Sequence, residues 1–384
     1  DNNENKVLNV PHLRFPEFTE EWEETTLGKI SEITKGSGIS KDQLSEQGSP
    51  CILYGELYTK YKSEIIDEVY SRTELDSSSL VKSKANDVII PCSGETAIDI
   101  STARCVPFNN ILLGGDLNII RLKHDDGGFF AYQLNGARKK DIARVAQGVS
   151  VVHLYGENLK HIRVYHPAIE EQKKITRLLS LIDERIATQN KIIEDLKLLK
   201  SAISLNVLHS DTWEQFKIKD IAQIGRGRVI SSIEISQQKN PTYPVYSSQT
   251  SNDGIMGYLD DYMFEGEYIS WTTDGANAGT VFYRNGKFNC TNVCGLLKLI
   301  KGFDTHFVSL VLAEATKKYV SINLANPKLM NNTMGNIQIC LPKLEEQKRI
   351  SIVFRVLQRL WTVHNSLLTE YIKQKQYLLS QMFI

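Results

Sequence analysis

Two long segments of the chain share one pattern of apolar positions, spaced alternately three and four residues apart. This spacing is typical of a helix with one continuous apolar stripe, and neither segment contains Pro or Gly. Each helix is expected to run straight for about 50 Å at 1.5 Å per residue. The first stripe comprises Ile175, Leu178, Ile182, Arg185, Gln189, Ile192, Leu196, Leu199 and Ile203. The second comprises Ile350, Val353, Leu357, Leu360, His364, Leu367, Tyr371, Gln374 and Leu378.

The two stripes are expected to bury against each other as a coiled coil, because each is longer than one globular domain normally covers. The alternative is two separate surface helices, each lying on its own domain. His364 falls within the second stripe, where a packed or register-setting role is expected rather than chemistry.

The helices belong to a tandem repeat that organises the whole chain. One motif recurs 191 positions later, with Trp22, Leu27, Ile30, Ile33 and Gly36 matching Trp213, Ile218, Ile221, Ile224 and Gly227. A second motif, Pro-Ala-Ile-Glu-Glu-Gln-Lys-Lys-Ile at 167–175, recurs 175 positions later as Pro-Lys-Leu-Glu-Glu-Gln-Lys-Arg-Ile at 342–350. The middle portions of the two copies have therefore diverged.

Each copy combines strands and turns, a short lysine-bearing helix, and a strand and proline that lead into the long helix. The predicted fold class is α+β, with two mixed α/β domains separated by an antiparallel pair of long helices. Such a chain would be a dumbbell with pseudo-two-fold symmetry and neighbouring termini. The predicted segments are a first recognition domain at 1–166, a helix at 167–208, a second recognition domain at 209–341 and a helix at 342–384.

Composition narrows the functional classes. The 384 residues suit two domains, and equal numbers of basic and acidic residues give a formal net charge of zero. Any nucleic-acid binding would need positive charge concentrated locally or supplied by partners. Because no apolar run is long enough to span a membrane and the first residues lack signal-peptide features, a cytoplasmic location is expected. The six scattered cysteines, including the close pair Cys290 and Cys294, are expected to be free thiols rather than zinc ligands.

Catalytic motifs lack support. The segment Asn240-Pro-Thr-Tyr243 lacks the second proline of an adenine-methyltransferase pocket, and no glycine-rich cofactor loop precedes it. The pair Gly286-Lys287 does not end a phosphate loop, because Val281 occupies the position of the leading glycine. We therefore expect no catalytic residues, no metal and no cofactor bound by this chain.

The Trp-x4-Leu-Gly-Lys-Ile opening and the doubled Pro-x2-Glu-Glu-Gln-x2-Ile motif resemble the specificity subunit of type I restriction–modification systems, from about Leu13 to the C-terminus. The resemblance implies two target-recognition domains that read an asymmetric, bipartite DNA target, one half-site each. It implies as partners double-stranded DNA, two adenine methyltransferase subunits and, in the full complex, two restriction subunits. S-adenosylmethionine, ATP and magnesium would then bind those partner subunits.

Candidate DNA contacts lie in polar loops that follow apolar strands and on the short basic helices. Arg226 and Arg228 suit guanine and Gln249 suits adenine, whereas Lys139, Lys140, Lys317 and Lys318 suit phosphate or a merely solvated face. The glycines beside Ser37 and Arg226 suit either a close approach to DNA or an ordinary turn. The remaining candidates are Ser37, Lys41, Tyr54, Glu56, Tyr58, Ser93, Glu95, Thr96, Ser247, Thr273 and Asn277.

Two other functions compete with DNA reading. A non-catalytic scaffold would use its two domains to bind protein partners and would show no salt-sensitive affinity for DNA. A divergent stand-alone nuclease or methyltransferase would need the motifs that are missing here. The doubled helix-start motif favours the specificity subunit over both.

Overall fold

A computed structural model gives each copy of the repeat a mixed α/β domain and a long helix, which confirms the predicted fold class. It describes residues 9–208, 210, 212–321 and 326–384. The chain divides into two compact units, Asp1–Lys191 with Asn365–Ile384, and Ile192–His364. Each unit thus contains one α/β domain and part of both long helices. No described helix is both long and apolar enough to cross a membrane.

The elements of the first copy alternate between short strands and short helices before one long helix. Its strands are β1 (Glu23–Thr26), β2 (Ser31–Lys35), β3 (Leu44–Ser45), β4 (Ser49–Ile52), β5 (Ser71–Thr73), β6 (Asp87–Pro91), β7 (Ser93–Gly94), β8 (Arg104–Val106), β9 (Leu112–Leu113), β10 (Leu117–Leu122), β11 (Val152–His153) and β12 (Arg163–His166). Its helices are α1 (Leu27–Ile30), α2 (Glu56–Thr59), α3 (Ala97–Ile100), α4 (Gly127–Asn135), α5 (Lys139–Val145), α6 (Gly156–Lys160) and α7 (Ile169–Val207).

The second copy follows the same order with a different middle portion. Its strands are β13 (Glu214–Lys217), β14 (Ala222–Arg226), β15 (Tyr243–Tyr246), β16 (Ile255–Leu259), β17 (Phe264–Glu265), β18 (Tyr268–Thr272), β19 (Val281–Arg284), β20 (Lys287–Cys290), β21 (Cys294–Leu299) and β22 (Gln338–Leu341). Its α-helices are α8 (Ile218–Ile221), α9 (Ser232–Ser236), α10 (Thr305–Ala315), α11 (Asn331–Asn336) and α12 (Leu344–Gln381).

The two domains share the topology of their main sheet. The main sheet has strand order β2-β10-β6-β8 in the first domain and β14-β21-β18-β19 in the second. The registers correspond, because Ile33 lies opposite Ile120 in the first and Ile224 lies opposite Leu297 in the second. A second four-stranded sheet, β3-β5-β4-β9 or β16-β15-β20-β17, completes each domain.

The Trp-led motif lies at the base of each domain, next to the start of the long helix. β1 pairs with β12, the strand that leads into α7, and β13 pairs with β22, the strand that leads into α12. The ring of Trp22 meets that of Phe129 edge-on at 5.5 Å between centroids, and Trp213 meets Phe307 in the same way at 5.9 Å. The repeated tryptophan therefore packs against α4 or α10.

The repeated glutamine of the Glu-Glu-Gln motif joins each long helix to its domain. The side chain of Gln172 donates to the carbonyl of Pro167 at 2.8 Å and accepts from the backbone N–H of Asp126 at 2.9 Å. Gln347 makes the corresponding bonds to Pro342 and Asp304, at 2.8 and 2.9 Å. Asp126 and Asp304 in turn cap α4 and α10. Both glutamines are buried, so each bond satisfies a backbone group that water does not reach.

In the first unit, α12 returns to the first domain through a buried cluster of charges. The ammonium of Lys375 lies 2.5 Å from a carboxylate oxygen of Glu64 and 2.6 Å from one of Asp183. The hydroxyl of Tyr132 donates to the other oxygen of Asp183 at 2.7 Å. Burial raises the pKa of Asp183, whereas the Lys375 cation opposes that shift. The cluster joins the beginning of α7 to the end of α12, as antiparallel pairing requires.

In the second unit the opposite ends of the same helices meet. Ile203 and Val207 near the end of α7 pack into one core with Ile350 and Phe354 near the start of α12. The predicted antiparallel pairing is therefore observed in each unit. The expected neighbourhood of the termini is seen in the first unit, where the Leu13 amide donates to the Gln381 carbonyl at 2.9 Å. The dumbbell shape and the four segment boundaries stay predictions.

The buried stripe differs from the predicted one at alternate positions. Ile175, Ile182, Ile350, Leu357 and Leu378 are buried as expected. The structure, however, buries Leu179, Ile193 and Phe354 instead of their neighbours Leu178, Ile192 and Val353. Leu199, Leu360 and Leu367 are exposed, whereas Leu196 and Tyr371 are half-buried. Because apolar residues stand side by side in the sequence, the buried positions could be spaced three then four residues apart, or four then three. Packing on the domains selects the spacing of four then three.

Candidate nucleic-acid interface

Three loops of the first domain meet at one edge of its sheets. They follow β2, follow β4 and precede β10. The loops are joined by backbone bonds, because the Ser37 amide donates to the Leu113 carbonyl at 3.0 Å and the Gly114 amide donates to that of Ile52 at 2.9 Å. This edge therefore gathers several candidates that are far apart in the sequence.

A cleft of about 920 Å³ opens between these loops. Its lining includes four of the predicted residues, Lys41, Tyr54, Glu56 and Tyr58, together with Asp116. Lys41 is exposed, and both tyrosines are half-buried in a wall that mixes glycine and aliphatic residues with polar ones. Burial, with smaller contributions from Tyr54, Glu95 and Asp99, raises the pKa of Tyr58 and keeps its hydroxyl protonated. The cleft thus offers the Lys41 cation and the hydroxyl groups of two tyrosines, among other polar groups, to a ligand.

Two predicted residues of this region have internal roles. The Glu56 carboxylate is buried and accepts from the amide of Leu53 at 2.9 Å, the ammonium of Lys60 at 2.6 Å and the hydroxyl of Ser71. The Ser37 hydroxyl accepts from the Val81 amide at 2.8 Å. Both side chains hold the loops in place through these bonds.

The loop after β6 reaches the same edge. The Cys92 amide donates to the Asp116 carbonyl at 2.7 Å, which places Ser93 and Glu95 beside the cleft. Glu95 is exposed, whereas Thr96 caps α3 by accepting from the Asp99 amide at 3.1 Å.

The two lysines of α5 differ in their surroundings. Lys139 lies against this loop region, 3.5 Å from the Thr102 hydroxyl, and burial lowers its pKa, as does Arg104 nearby. Lys140 is exposed. Only Lys140 of this pair therefore presents an open cation to solvent.

In the second domain the predicted arginines lie at the corresponding edge, and both are engaged within the protein. Arg226 donates to the Asn331 side chain at 2.9 Å. Arg228 forms a two-point ion pair with Glu234, which raises the pKa of Arg228. The pair is exposed, so it is worth little in water, and a phosphate or guanine would displace Glu234 at small cost.

Some of the other candidates of the second domain are bonded within the protein, and others are exposed. Thr273 is buried and donates to the Val293 carbonyl at 3.0 Å. The side-chain amide of Gln249 donates to the Ile255 carbonyl. The backbone amide of Gln249 donates to the Ser247 hydroxyl at 3.4 Å. Asn277 is exposed near the end of β18. Lys317 pairs with Glu314 at 2.8 Å, and Lys318 is exposed.

The repeated glycine after β2 or β14 is explained by packing inside each domain. A Cβ added at Gly36 would lie 2.0 Å from the Gly114 carbonyl oxygen, and one at Gly227 would lie 1.6 Å from that of Cys290. Close approach of two backbone segments therefore requires glycine at both positions.

Replacing Gly227 by alanine is expected to lower the free energy of unfolding by about 1–3 kcal/mol, because the new methyl group forces β14 away from β20. Gly225→Ala is the matched control, since no atom lies within 4 Å of its added Cβ. Denaturant unfolding of both variants measures the difference. Equal stability of the two variants would show that close approach does not explain the glycine.

The structure gives the state of the cysteines. All six cysteines are free, and Cys290 and Cys294 are buried in the second domain. No cluster of three metal-ligating side chains occurs in the ranges that the structure describes.

Sequence reasoning missed several residues at these edges. Asp116 lines the first cleft, and its only sequence signal is the Gly114-Gly115 pair before it. Asn252 and Asp253 adopt positive φ values of 50° and 54° in the loop after β15, and Asp253 pairs with Arg284 at 2.8 Å. Asn and Asp adopt this left-handed backbone conformation more readily than most residues, so they commonly occur in turns.

Comparison with known proteins identifies the same two-copy organisation. The family model described as the type I restriction modification DNA specificity domain matches residues 19–198 and again residues 210–373. The Mycoplasma pneumoniae MpnII specificity subunit of a type I restriction enzyme is 43% identical over 150 residues, which are 38% of this chain and 44% of that protein. Another protein of that organism, named as a type I specificity subunit, is 36% identical over 206 residues, or 53% of this chain and 85% of that protein.

Solved structures share the fold across almost the whole chain. The S subunit of a type I restriction-modification system from M. genitalium superimposes with a TM-score of 0.72 and 16% identity, covering 98% of this chain and 99% of that one. A chain from a study of complex assembly and conformational transition of the type I system has a TM-score of 0.52 and 14% identity, covering 94% of this chain and 97% of that one.

Proposed function

Because the chain belongs to the family of type I restriction modification DNA specificity domains, we propose that each of its two domains reads one half of a bipartite DNA target. The observation that carries this proposal is that the family match covers both copies of the repeat. The two domains have the same main-sheet topology but different loops. Unlike loops would contact unlike bases, so the two half-sites would differ in sequence.

The loop edges described above are the proposed contact surfaces. In the first domain, the exposed Lys41 and the tyrosines of the cleft would contact one half-site. In the second, Arg226 and Arg228 would exchange Asn331 and Glu234 for guanine or phosphate. Lys140 and Lys318 are exposed cations that would contact phosphate. Base contacts by Glu95 and Asn277 are proposed because both are exposed at strand ends.

The chain itself is proposed to be non-catalytic and to work in the cytoplasm. It would position two adenine methyltransferase subunits and, in a full complex, two restriction subunits. S-adenosylmethionine, ATP and magnesium would be held by those partners. A zero net charge fits this division of labour, because the partners would supply part of the phosphate contacts.

The proposal predicts a loss of DNA affinity when Lys41 is replaced by alanine. A single lost phosphate contact is expected to weaken binding of the assembled complex severalfold for all targets and to reduce the salt slope by about one. Lys123→Ala is the matched control, because Lys123 follows the opposite end of β10 and its ammonium bonds the Lys29 carbonyl.

Fluorescence anisotropy over a series of salt concentrations measures both variants. An equal effect of the two substitutions would contradict the assignment of this edge. A complex that binds DNA without any salt dependence would contradict DNA reading itself and favour a protein scaffold.

A further inference from the structure

A groove of about 900 Å³ lies beside the start of α12 in the second unit. Three half-buried aromatic side chains line it, together with the exposed carboxylate of Glu346. These aromatics are Trp213, Phe216 and Phe303. The groove belongs to the base of the domain, where the repeated tryptophan and the helix-start motif meet, and not to the loop edge assigned to DNA.

The corresponding place in the first unit is occupied by the chain itself. Glu171 is the counterpart of Glu346 in the repeat, and its carboxylate accepts two bonds from the Arg14 guanidinium, at 2.8 and 2.7 Å. One further turn along α7, Lys174 pairs with Glu17, and its ammonium lies 4.5 Å from the centre of the Phe15 ring. The segment Leu-Arg-Phe-Pro-Glu-Phe at 13–18 therefore clamps the start of the first long helix.

The second copy has no such segment before its tryptophan. The residues 191 positions later, 204–209, read Ser-Leu-Asn-Val-Leu-His, and α7 continues through them as far as Val207. Leu205 takes the place of Arg14 and is 77% exposed. Consequently Glu171 is 1% exposed, whereas Glu346 is open to solvent, and Trp22 is 2% exposed, whereas Trp213 is half-buried.

We propose that this groove binds a segment of a partner polypeptide with the same chemistry as residues 13–18: an arginine, then an aromatic residue, a carboxylate and a second aromatic residue. Glu346 would accept the arginine, as Glu171 accepts Arg14. Arg349, the counterpart of Lys174 in the repeat, would pair with the carboxylate. The half-buried aromatic side chains would cover the partner's rings. A bidentate arginine–carboxylate pair combined with aromatic burial is a strong recognition element. The inference goes beyond DNA reading and does not depend on it.

The test uses the full chain and a synthetic hexapeptide with the sequence of residues 13–18. Titration calorimetry should show saturable binding at one site, and tryptophan emission should change because Trp213 lines the groove. Glu346→Gln should weaken binding by about tenfold or more, as expected for a lost charge-assisted pair. Glu345→Gln is the matched control, since Glu345 is 85% exposed and pairs with Lys348 along the same helix.

A charge reversal sharpens the assignment. Glu346→Arg should abolish binding of the natural hexapeptide and restore it for a peptide with glutamate in place of its arginine. Thermal unfolding of each variant should match that of the unmodified chain, because residue 346 is exposed.

Three results would overturn the proposal. The first is the absence of binding, and the second is binding that Glu346→Gln leaves unchanged. The third is a dimer of this chain that the hexapeptide dissociates. The groove would then be occupied by a second copy of the chain rather than by a different partner.

Discussion

Replacing Lys375 by methionine is expected to lower the free energy of unfolding by about 3–5 kcal/mol, the usual loss when one partner of a buried ion pair is removed. Lys375 is 14% exposed, and it faces Glu64 and Asp183, which are 9% and 7% exposed. Without the ammonium, the two buried carboxylates would lose the cation that contacts both of them. Denaturant unfolding at neutral pH measures the loss.

The repeat provides a matched control within the same molecule. Lys200 is the counterpart of Lys375, and Gln358 is the counterpart of Asp183. Lys200 is exposed and faces no corresponding acid in that position, so Lys200→Met should change stability by less than about 0.5 kcal/mol. A loss of similar size in both variants, or none in either, would contradict the role assigned to the buried cluster.

Acidic solution should relieve part of the loss in the Lys375→Met variant. Burial already raises the pKa of Asp183, and Lys375 is the main group that opposes this shift. An acid whose folded-state pKa is raised gives up stability as pH rises from its unfolded value through its folded value. The variant should therefore lose less stability near pH 5 than near pH 8. A deficit independent of pH would show that lost packing, not charge, causes the effect.

Inserting seven residues into both long helices is expected to change the DNA target rather than destroy it. One insertion follows Gln189 and the other follows the equivalent His364, so each helix grows by about 10 Å. Seven residues preserve the alternation of buried positions. If the helices set the distance between two reading domains, the gap between half-sites should lengthen by about three base pairs, at 3.4 Å each.

A four-residue insertion at the same positions serves as the control, because it breaks the heptad order of the stripe. We expect it to reduce stability and methylation without producing a new ordered gap. Mapping methylated adenines gives the result for both variants. An unchanged gap in the seven-residue variant would contradict the role of the helices as a ruler.

The architecture could be predicted because the same motifs occur in both copies of the repeat. The Trp-led motif and the helix-start motif recur with their spacing intact, and the structure gives both the same contacts, such as Gln172 to Pro167 and Gln347 to Pro342. The alternate positions of the helix stripe could not be predicted. Pairs such as Leu178-Leu179 and Val353-Phe354 offer two apolar residues for one buried position, and only packing on the domain decides between them.

The sequence predicted the location of the candidate site more accurately than the roles of its individual residues. Chain order placed the polar loops after apolar strands, and those strands end at one edge in each domain. The sequence did not reveal that Glu56 accepts from Leu53, Lys60 and Ser71, or that Arg228 pairs with Glu234. Such side-chain bonds depend on loop geometry, which single-residue preferences leave open. The close approach of Gly36 and Gly227 to a facing carbonyl also depends on the folded backbone, which the sequence leaves open.

The measurement that tests two-domain reading most directly is methylome sequencing of cells in which residues 213–340 are replaced by the second domain of another family member. With the unmodified chain, the methylated sequence should be one asymmetric target with two unlike half-sites and a fixed gap. The exchanged chain should keep the first half-site and the gap while the second half-site changes. Altered bases in both half-sites, or a single uninterrupted target, would contradict the account.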